Sequence, residues 1–362
     1  MKCRLLYVVG QLGLGGLERQ LFYLIRSMDR GRYTPAVAVW HHSPDDHYTH
    51  EISALDVPVV PLGNHLSRSA KLRALRSLVS SVRPEVIHSY SFYTNFAVWW
   101  AARGTGTVPI GSIRSNFILD RQAAGKVLGR LCGRWPHAQI FNSLSAEQTA
   151  KHSATIFRPR GIYVIQNGVD LDRFSPQFHP QQGYILAVGS LYPVKRWDRL
   201  IRAVAFLTSK GICPEVIHVG SGPLRGELEA MTKNLHVEHV VRFLGARLDI
   251  QTLLADAAFL VHTADDEGCP NVILEAMACG RAVVATNAGD VPHLIDDGKT
   301  GFVVPREDEA ALTSCIATLL KDRELCCLMG EAGRMKAERV FGIERLRSET
   351  FAVYRAEGWR DR

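Results

Sequence analysis

Short apolar runs alternate along this chain with longer segments in which apolar residues recur every three or four positions. The runs are rich in β-branched and aromatic residues, which is typical of strands, and the longer segments have the periodicity of amphipathic helices. This alternation predicts βαβ units and therefore a parallel sheet covered by helices. Seven strands are predicted in the first half: 4–9, 36–40, 57–62, 85–89, 108–113, 139–141 and 162–165.

The alternation begins again after a polar, proline-bearing stretch at residues 174–183. We therefore predict an α/β fold with two doubly wound domains, residues 1–176 and 177–340. Periodic apolar positions near the C-terminus predict helices, and residues 341–362 are expected to form a terminal helix that packs back on the first domain. The six strands predicted for the second domain are 184–188, 215–219, 240–244, 259–262, 282–285 and 302–304.

The composition is that of a globular protein without disordered tracts. The chain has 362 residues, of which 46% are hydrophobic and 22% are charged, so it can build two cores of ordinary size. Its eight cysteines include no C-x-x-C pair, and the apolar run 5–9 is too short for the core of a signal peptide. We therefore expect a cytoplasmic location.

Charge divides unevenly between the two predicted domains. Residues 1–176 hold 21 Lys and Arg against 11 Asp and Glu, a net charge of +10. The remainder holds 22 of the 43 basic and 25 of the 36 acidic residues, a net charge of −3. A basic first domain is compatible with an anionic substrate, an anionic lipid surface or nucleic acid, and net charge alone does not choose among them.

A glycine-rich loop, residues 10–18, follows the first predicted strand and precedes a helical pattern. Gly13, Gly15 and Gly16 would let the backbone approach an anion at the helix N-terminus. The dinucleotide fingerprint needs a further glycine where this chain has Glu18, and no acidic residue for a ribose ends the second predicted strand. These departures disfavour a nicotinamide or flavin cofactor.

A second motif joins two carboxylates to a helix N-terminus. The predicted strand 259–262 runs into an acidic loop, and a helix is predicted from Pro270 and Asn271 to Gly280. Glu267 lies in the loop and Glu275 about one turn inside the helix, so the helix amides could hold a diphosphate between the two acids. Taken alone, the same pair is also consistent with a capping acid and a surface acid.

Several motifs together make the chain similar to the retaining, GT-B-fold glycosyltransferases of family 4, also called glycosyl transferases group 1. The resemblance extends over nearly the whole chain. It implies two Rossmann-like domains that face each other across a cleft, the first binding an acceptor and the second a nucleotide sugar. The segments that carry it are 15–19, 86–88, 165–170, 188–191 with Lys195, 220–223, 243–245, 267–280 and 297–301.

The resemblance also implies roles for single residues. Glu275 is expected at the ribose and Glu267 near the sugar, and Lys195 is expected to neutralise the leaving diphosphate. The complete set of expected donor-binding residues is Gly15, Gly16, Ser190, Lys195, Arg196, Gly222, Glu267, Gly268, Cys269, Pro270, Asn271, Val272 and Glu275.

Two positions depart from the family pattern. Ser190 replaces the arginine that the family usually places near the lysine, and Arg196 is a candidate substitute. Arg114 matches a histidine that many relatives carry near the end of the strand 108–113, and an arginine cannot act as a general base at neutral pH. We therefore expect Lys195, Glu267 and Arg114 as catalytic residues, with Arg114 positioning or neutralising. His88 is as consistent with a structural role as with a functional one.

The resemblance implies transfer of a hexosyl unit from a nucleotide sugar to a surface-polysaccharide precursor, such as one for lipopolysaccharide, or to a glycolipid precursor. It also implies retention of configuration, and neither a metal nor another cofactor is expected. A nucleotide-sugar epimerase or hydrolase on the same scaffold is one alternative. A non-catalytic nucleic-acid-binding protein is another, but no RNA-binding motif or zinc finger supports it, so no nucleic-acid partner is expected.

Lys126, Arg130 and Arg134 recur every four residues, next to Trp135. This spacing predicts a basic amphipathic helix of the kind that lies on anionic membranes. We therefore consider peripheral docking on the inner face of the cytoplasmic membrane, beside a lipid-linked acceptor. An ordinary solvated helix face is the alternative.

Overall fold

The computed structural model describes residues 3–153, 155–176 and 183–361. Residues 177–182, which make up most of the predicted linker, lie outside the described residues. The chain divides into two compact units, one formed by Met1–Gly168 with Ile343–Arg362 and the other by Val169–Gly342. No helix within the described ranges is both long enough and apolar enough to cross a membrane.

Unit 1 is built on a seven-stranded sheet in the order β3-β2-β1-β4-β5-β6-β7. Its central strands are buried on both faces, as Leu5, Leu6 and Val8 show at no more than 1% exposure, which explains their unbroken apolar sequence. The strands are β1 (Cys3–Val9), β2 (Tyr33–Val39), β3 (Val59–Pro61), β4 (Val86–Ser89), β5 (Val108–Ile113), β6 (Ala138–Phe141) and β7 (Gly161–Val164). The helices are α1 (Gly16–Arg26), α2 (His47–Ser53), α3 (Arg68–Val82), α4 (Asn95–Ala102), α5 (Phe117–Ala123), α6 (Lys126–Arg134) and α7 (Leu144–His152).

Unit 2 repeats this design with a six-stranded parallel sheet in the order β10-β9-β8-β11-β12-β13. Its strands are β8 (Tyr184–Val188), β9 (Val216–Val219), β10 (Val241–Phe243), β11 (Ala257–His262), β12 (Ala282–Thr286) and β13 (Gly301–Val304). Its helices are α8 (Trp197–Ser209), α9 (Arg225–Asn234), α10 (Ile250–Asp256), α11 (Asn271–Ala278), α12 (Val291–Leu294), α13 (Glu309–Lys321) and α14 (Arg323–Val340). The prediction of two doubly wound parallel sheets is confirmed, and each predicted strand overlaps an observed one.

The chain returns to unit 1 through its last helix, α15 (Ile343–Ala356). Leu346, Phe351 and Tyr354 on this helix are buried in the core of unit 1 together with Leu5 and Tyr7. The apolar positions of α15 therefore complete a core that includes β1, more than 300 residues earlier in the sequence.

The boundaries between the units differ from the predicted ones. Unit 2 starts at Val169 rather than at residue 177, because the Val169 amide donates to the Phe341 carbonyl oxygen and Phe174 is buried in the unit 2 core. Arg334 strengthens this attachment by donating to the Phe174 carbonyl oxygen at 2.8 Å. The return crossing lies between Gly342 and Ile343, two residues after the predicted position.

Two loops at the carboxyl edge of the unit 2 sheet touch through their backbones. Gly220, which follows β9, has φ of +145°, and a Cβ on it would lie 1.9 Å from the carbonyl oxygen of Gly189, which follows β8. Only glycine allows this approach without displacing backbone. The loop after β8 leads directly to Ser190 and Lys195, so the contact sets the path of that loop.

We predict that Gly220→Ala lowers the free energy of unfolding by about 2 kcal/mol or more, because the new Cβ would collide with backbone and φ would be strained. Gly226→Ala is the matched control. Gly226 lies in α9 with open space around its Cβ position, so alanine there should stabilise the chain by up to about 1 kcal/mol through helix propensity. Chemical denaturation followed by circular dichroism measures both, and equal effects of the two substitutions would contradict the contact.

Candidate functional site

The strand order of unit 2 creates a crevice at one end of its sheet. From β8 the chain continues to β9 and then to β10 at one edge of the sheet. The next strand, β11, lies on the opposite side of β8, where Leu260 pairs with Leu186. The loops that leave β8 and β11 therefore diverge, and open α/β sheets bind ligands where loops diverge in this way. Lys195 follows β8 and Glu267 follows β11, so the sheet brings these two predicted residues to one place.

Lys195 and Glu267 form an ion pair in which Nζ donates to Oε1. A third residue, His262, places its Nε2 3.0 Å from the same carboxylate oxygen. His262 is the last residue of β11 and is 2% exposed. Because an ionised carboxylate only accepts hydrogen bonds, this contact requires a proton on Nε2 of His262. The buried Nδ1 atom then has no hydrogen-bond partner in the described structure.

These neighbours keep Glu267 ionised. Burial by itself raises the pKa of the carboxyl group, but the hydrogen bond from His262 and the charge of Lys195 outweigh burial and lower the pKa to about 2. Glu267 is therefore an acceptor, and not a proton donor, at neutral pH. Such a group can hold the hydroxyls of a sugar, and the neighbouring ammonium can hold a phosphate.

The predicted helix after Glu267 is α11, and its N-cap residue is Pro270. Proline offers no side-chain cap, and the helix contains no acidic residue in its first turn, so its amide dipole end is not neutralised from within. Gly268 is held by the Asp290 amide, which donates to its carbonyl oxygen at 3.1 Å. Glu275 lies one turn inside α11 and is 2% exposed, so the surface acid considered above is excluded.

The remaining predicted donor residues of unit 2 lie around the same edge. Ser190 is half-buried, and its carbonyl oxygen accepts a hydrogen bond from the Trp197 indole at 3.0 Å. Gly222 follows β9 and packs against the backbone of Leu191. Cys269 and Val272 are buried at the start of α11. The structure therefore gathers Ser190, Lys195, Gly222 and residues 267–275 at the carboxyl ends of three strands.

Arg196 lies beside Lys195 but its charge is already balanced. Its guanidinium donates two hydrogen bonds to Asp198, each of 3.0 Å, and one of 3.1 Å to Asp265. The hydrogen bonds that Arg196 donates to Asp198 contribute most to a raised pKa for Arg196. A phosphate would have to compete with two carboxylates for this guanidinium, whereas Lys195 forms an ion pair with Glu267 alone among the residues that the structure describes.

Gly15 and Gly16 lie in unit 1, at the N-terminus of α1. The carboxyl group of Glu18 folds back over this terminus, and a Cβ on Gly15 would lie 2.1 Å from Glu18 Oε2. Burial, opposed by a hydrogen bond from its own backbone amide, raises the pKa of Glu18 to about 7. An anion can approach Gly15 only when Glu18 moves away, and protonation of Glu18 favours that movement.

Arg114 follows β5 in unit 1 and lies over the ring of Tyr90, with 4.4 Å from its Cζ to the ring centroid. Its Nε and Nη1 atoms are buried and have no hydrogen-bond partner in the described structure. Unsatisfied buried donors are costly, so this position fits a ligand that supplies acceptors.

His88 has a structural environment. Its Nδ1 lies 2.7 Å from the Tyr354 hydroxyl and its Nε2 lies 2.8 Å from the Ser112 hydroxyl, and the residue is 1% exposed. Burial, followed by the charge of Arg114, lowers the pKa of His88 well below its usual value. The ring is therefore neutral and links β4 to α15.

Two residues of the unit 2 site escaped the sequence analysis. His262 ends an apolar strand, and the sequence feature that connects it with the site is its spacing of five residues from Glu267. Arg306 lies just beyond β13 and donates to the Asp265 carbonyl oxygen at 2.9 Å, which places a further cation beside the acidic loop. His262 ends a strand and Arg306 follows one, so a search of the last residue of each predicted strand and of the residues just after it would find both.

Within the described ranges, no group of three or more His, Cys, Asp or Glu side chains is arranged to hold a metal ion. Among the described side chains, Lys195, Arg196, Arg199 and Arg306 supply positive charge at this edge. The arrangement combines fixed cations, a helix N-terminus and acceptor carboxylates, which is the chemistry needed to bind a polyhydroxylated ligand that carries phosphate.

Comparison with known proteins agrees with this geometry. Residues 14–173 match the family described as Glycosyltransferase Family 4, and residues 182–322 match the family described as Glycosyl transferases group 1. The D-inositol 3-phosphate glycosyltransferase of Streptomyces avermitilis is 30% identical to this chain over 75% of the chain and 65% of its own length. The GDP-mannose-dependent alpha-(1-6)-phosphatidylinositol monomannoside mannosyltransferase of Mycolicibacterium smegmatis is 36% identical over 51% of the chain and 54% of its own length. The chain spans about half the length of the curated relatives it matches.

Among solved structures, Anabaena Alr3699/HepE in complex with UDP-glucose superposes with a TM-score of 0.83, covering 98% of this chain and 99% of that one at 20% identity. At this identity the similarity establishes the fold. The two family matches cover most of both units, and the parallel sheets are those of GT-B proteins. The chain therefore belongs to the group 1, family 4 glycosyltransferases.

Proposed function

We propose that this enzyme transfers a hexosyl unit from a nucleotide-diphosphate sugar to a glycolipid or surface-polysaccharide precursor, with retention of configuration and without a metal ion. The observation that carries the proposal is the contact of Lys195 and His262 with Glu267, next to the N-terminus of α11. It places a cation, an ionised acceptor and a helix N-terminus within one site. The relatives named above support the acceptor class, since their names refer to inositol phosphate and phosphatidylinositol mannoside substrates.

In this proposal the diphosphate lies against the first turn of α11, with the buried Glu275 carboxylate as the acceptor for the ribose hydroxyls. The bond from the anomeric carbon to the diphosphate oxygen breaks, and negative charge develops on that oxygen. Lys195 exchanges its contact with Glu267 for the developing charge, and Glu267 is then free to accept hydrogen bonds from the sugar. A fixed cation that meets charge as it develops stabilises the transition state more than the bound substrate.

Retention follows if the acceptor hydroxyl attacks from the side that the diphosphate leaves. No protein nucleophile is then needed, and the leaving diphosphate oxygen can take the proton of the attacking hydroxyl. Glu267 is fully ionised and paired with Lys195, which suits an acceptor of hydrogen bonds better than a general acid. Arg114, with its two unsatisfied N–H groups, is proposed to position an anionic or hydroxyl group of the substrates in unit 1.

Glu275→Gln should weaken binding of the donor nucleotide by roughly 10- to 100-fold, because a charged hydrogen-bond acceptor contributes about 1.5–3 kcal/mol. Thermal stabilisation of the wild type by UDP, GDP and ADP identifies which nucleotide base the enzyme prefers. The same measurement over a range of concentrations of that nucleotide gives the loss of affinity in the variant. Glu324→Gln, an exposed acid on α14, is the matched control and should behave as the wild type. Unchanged stabilisation of the Glu275 variant would refute its place at the ribose.

Lys195→Met should lower kcat by about 100-fold or more while changing the KM for the donor by only a few fold, since the lysine acts on charge that develops in the transition state. Arg196→Met should lower kcat by less than about 10-fold, because two carboxylates already hold that guanidinium. Assays run in excess chelator keep divalent ions from substituting for the lysine. Loss of wild-type activity in chelator and its return with Mg²⁺ or Mn²⁺ would overturn the metal-free mechanism, and equal losses in both variants would overturn the assignment to Lys195.

Part of the predicted basic helix faces solvent. In α6, Lys126 and Arg130 are exposed and Val127 is 72% exposed. Arg134 is less free, because it donates to the Arg158 carbonyl oxygen at 3.3 Å. Trp135 does not extend outward, since it stacks on Trp99 with 4.2 Å between ring centroids. We propose that the face formed by Lys126, Val127 and Arg130, with Arg134 at its edge, contacts anionic lipid.

Simultaneous charge reversal at Lys126, Arg130 and Arg134 should reduce sedimentation with vesicles that contain anionic lipid by about 10-fold or more at low salt, since each cation near such a surface contributes about 1 kcal/mol. Reversal at Lys210, Lys233 and Arg323, three exposed cations of unit 2, is the control. Binding that is independent of anionic lipid, or equally sensitive to both sets of substitutions, would refute docking through α6.

A further inference from the structure

Unit 1 contains a cavity of about 540 Å³ that the proposed donor site does not use. Trp40 and His41, which follow β2, form one side, and Phe92 and Tyr93, which follow β4, form another. Helices α3, α4, α5 and α6, with the loop residues Asn64 and Leu66, supply the remaining walls. The cavity therefore lies at the carboxyl edge of the unit 1 sheet, beside the point where the strand order reverses between β1 and β4, which is where such sheets bind ligands.

Most of the cavity wall is apolar. Leu72 of α3, Phe96 of α4 and Leu128 of α6 line it together with Trp40 and Phe92. A cavity of this size and lining encloses a small molecule or a chain segment of comparable volume. The wall offers few neutral hydrogen-bonding groups, so a free saccharide would leave most of its hydroxyls without partners.

The polar part of the cavity is cationic. Lys71 is 2% exposed, donates to the Trp40 carbonyl oxygen and lies 3.4 Å from His41 Nδ1. No carboxylate in the described part of the chain forms an ion pair with it. Arg68 lies three residues earlier, at the first position of α3, and is exposed. Asp120 is the acid in the lining, and it accepts a hydrogen bond from Ser115 at 2.7 Å.

These cations sit at the start of a helix. The 15-residue helix α3 has no acidic residue in its first turn, so its positive dipole end adds to the charges of Arg68 and Lys71. A buried ammonium without a counter-ion is expensive, and an anion bound beside it would recover that free energy. Two cations and a helix N-terminus around one point favour a phosphate group.

We propose that this cavity binds a phosphorylated amphiphile, with the phosphate at Lys71 and Arg68 and the apolar part against Leu72, Phe96 and Leu128. The role of that molecule rests on the proposed function: it would be the lipid-linked acceptor, or the lipid that anchors the acceptor. It also joins the cavity to the lipid-facing surface, because Leu128 lines the cavity and the adjacent Val127 faces solvent on α6. Acceptor phosphate held here would leave the saccharide end free to extend toward the loop that follows β1.

Isothermal titration of the full chain with decyl phosphate, below its micelle concentration and at low ionic strength, tests the site. Inorganic phosphate and decyl glucoside are the two comparison ligands, since each contains one half of the proposed chemistry. We expect decyl phosphate to bind at least 10-fold more tightly than either. Equal binding of inorganic phosphate would overturn the role of the apolar wall, and equal binding of decyl glucoside would overturn the role of the cations.

Arg68→Glu should weaken decyl phosphate binding by about 10-fold, and Arg73→Glu should change it by less than twofold. Both arginines are exposed on α3, and the two substitutions change the net charge by the same amount, but Arg73 does not line the cavity. Arg73→Glu is therefore the matched control. Leu128→Gln should weaken binding without any change of charge. Equal loss in the two arginine variants, or no detectable binding to the wild type, would overturn the proposal.

The cavity assignment can be tested separately from the proposed function, because the binding assay needs no nucleotide-sugar donor. The Glu275→Gln enzyme should bind decyl phosphate as the wild type does. If no nucleotide binds unit 2 and decyl phosphate binding still depends on Arg68, the cavity assignment stands and the transferase proposal fails. If the enzyme transfers sugar normally and the Arg68 variant shows the wild-type KM for a phosphorylated lipid acceptor, the cavity assignment fails alone.

Discussion

The pairing of β8 with β11 is the constraint on which the unit 2 site depends. The two strands are adjacent in the sheet although more than 60 residues separate them in sequence, and their loops leave in opposite directions. That divergence creates the space into which Lys195 and Glu267 project from opposite sides. If the order of strands were sequential, the two loops would be three strands apart. The chemistry of the site is thus a consequence of sheet topology before it is one of individual side chains.

The contact between Lys195 and Glu267 compensates two charges that lie largely out of water. Both side chains are largely buried, with 20% and 14% of their surfaces exposed, and either charge alone would be unfavourable there. By pairing with each other they remain ionised, and His262 holds the carboxylate in place during any exchange of partners. A ligand that supplies a phosphate to the lysine and hydroxyls to the carboxylate can replace the internal pair without leaving a charge uncompensated. Under the proposed mechanism, the site would therefore favour ligands that carry both groups.

Much of the fold follows from local patterns in the sequence, whereas the contacts that define the site depend on tertiary structure. The strands are recoverable because buried parallel strands are continuous apolar runs, as in Leu5, Leu6 and Val8. Helix α11 is recoverable because Pro270 and Gly280 bracket it. By contrast, nothing in the residues beside Arg196 shows that Asp265, 69 positions away, occupies its guanidinium. The boundary at Val169 likewise depends on a hydrogen bond to Phe341, which no local pattern contains.

The glycine-rich loop is a second case in which the local sequence does not show a contact that decides how the loop can act. Gly15 and Gly16 have the composition of an anion site, yet the carboxyl group of Glu18 covers the helix N-terminus they open. This acid occupies the position where an anion would gain from the amide dipoles, and its pKa of about 7 means that it is partly protonated at neutral pH. A neutral carboxyl group binds those amides less strongly than a carboxylate does, so an incoming phosphate displaces it at a lower free-energy cost. The burial that raises the pKa of Glu18 would therefore lower the free-energy cost of displacing this acid, if an anion binds to the loop as proposed.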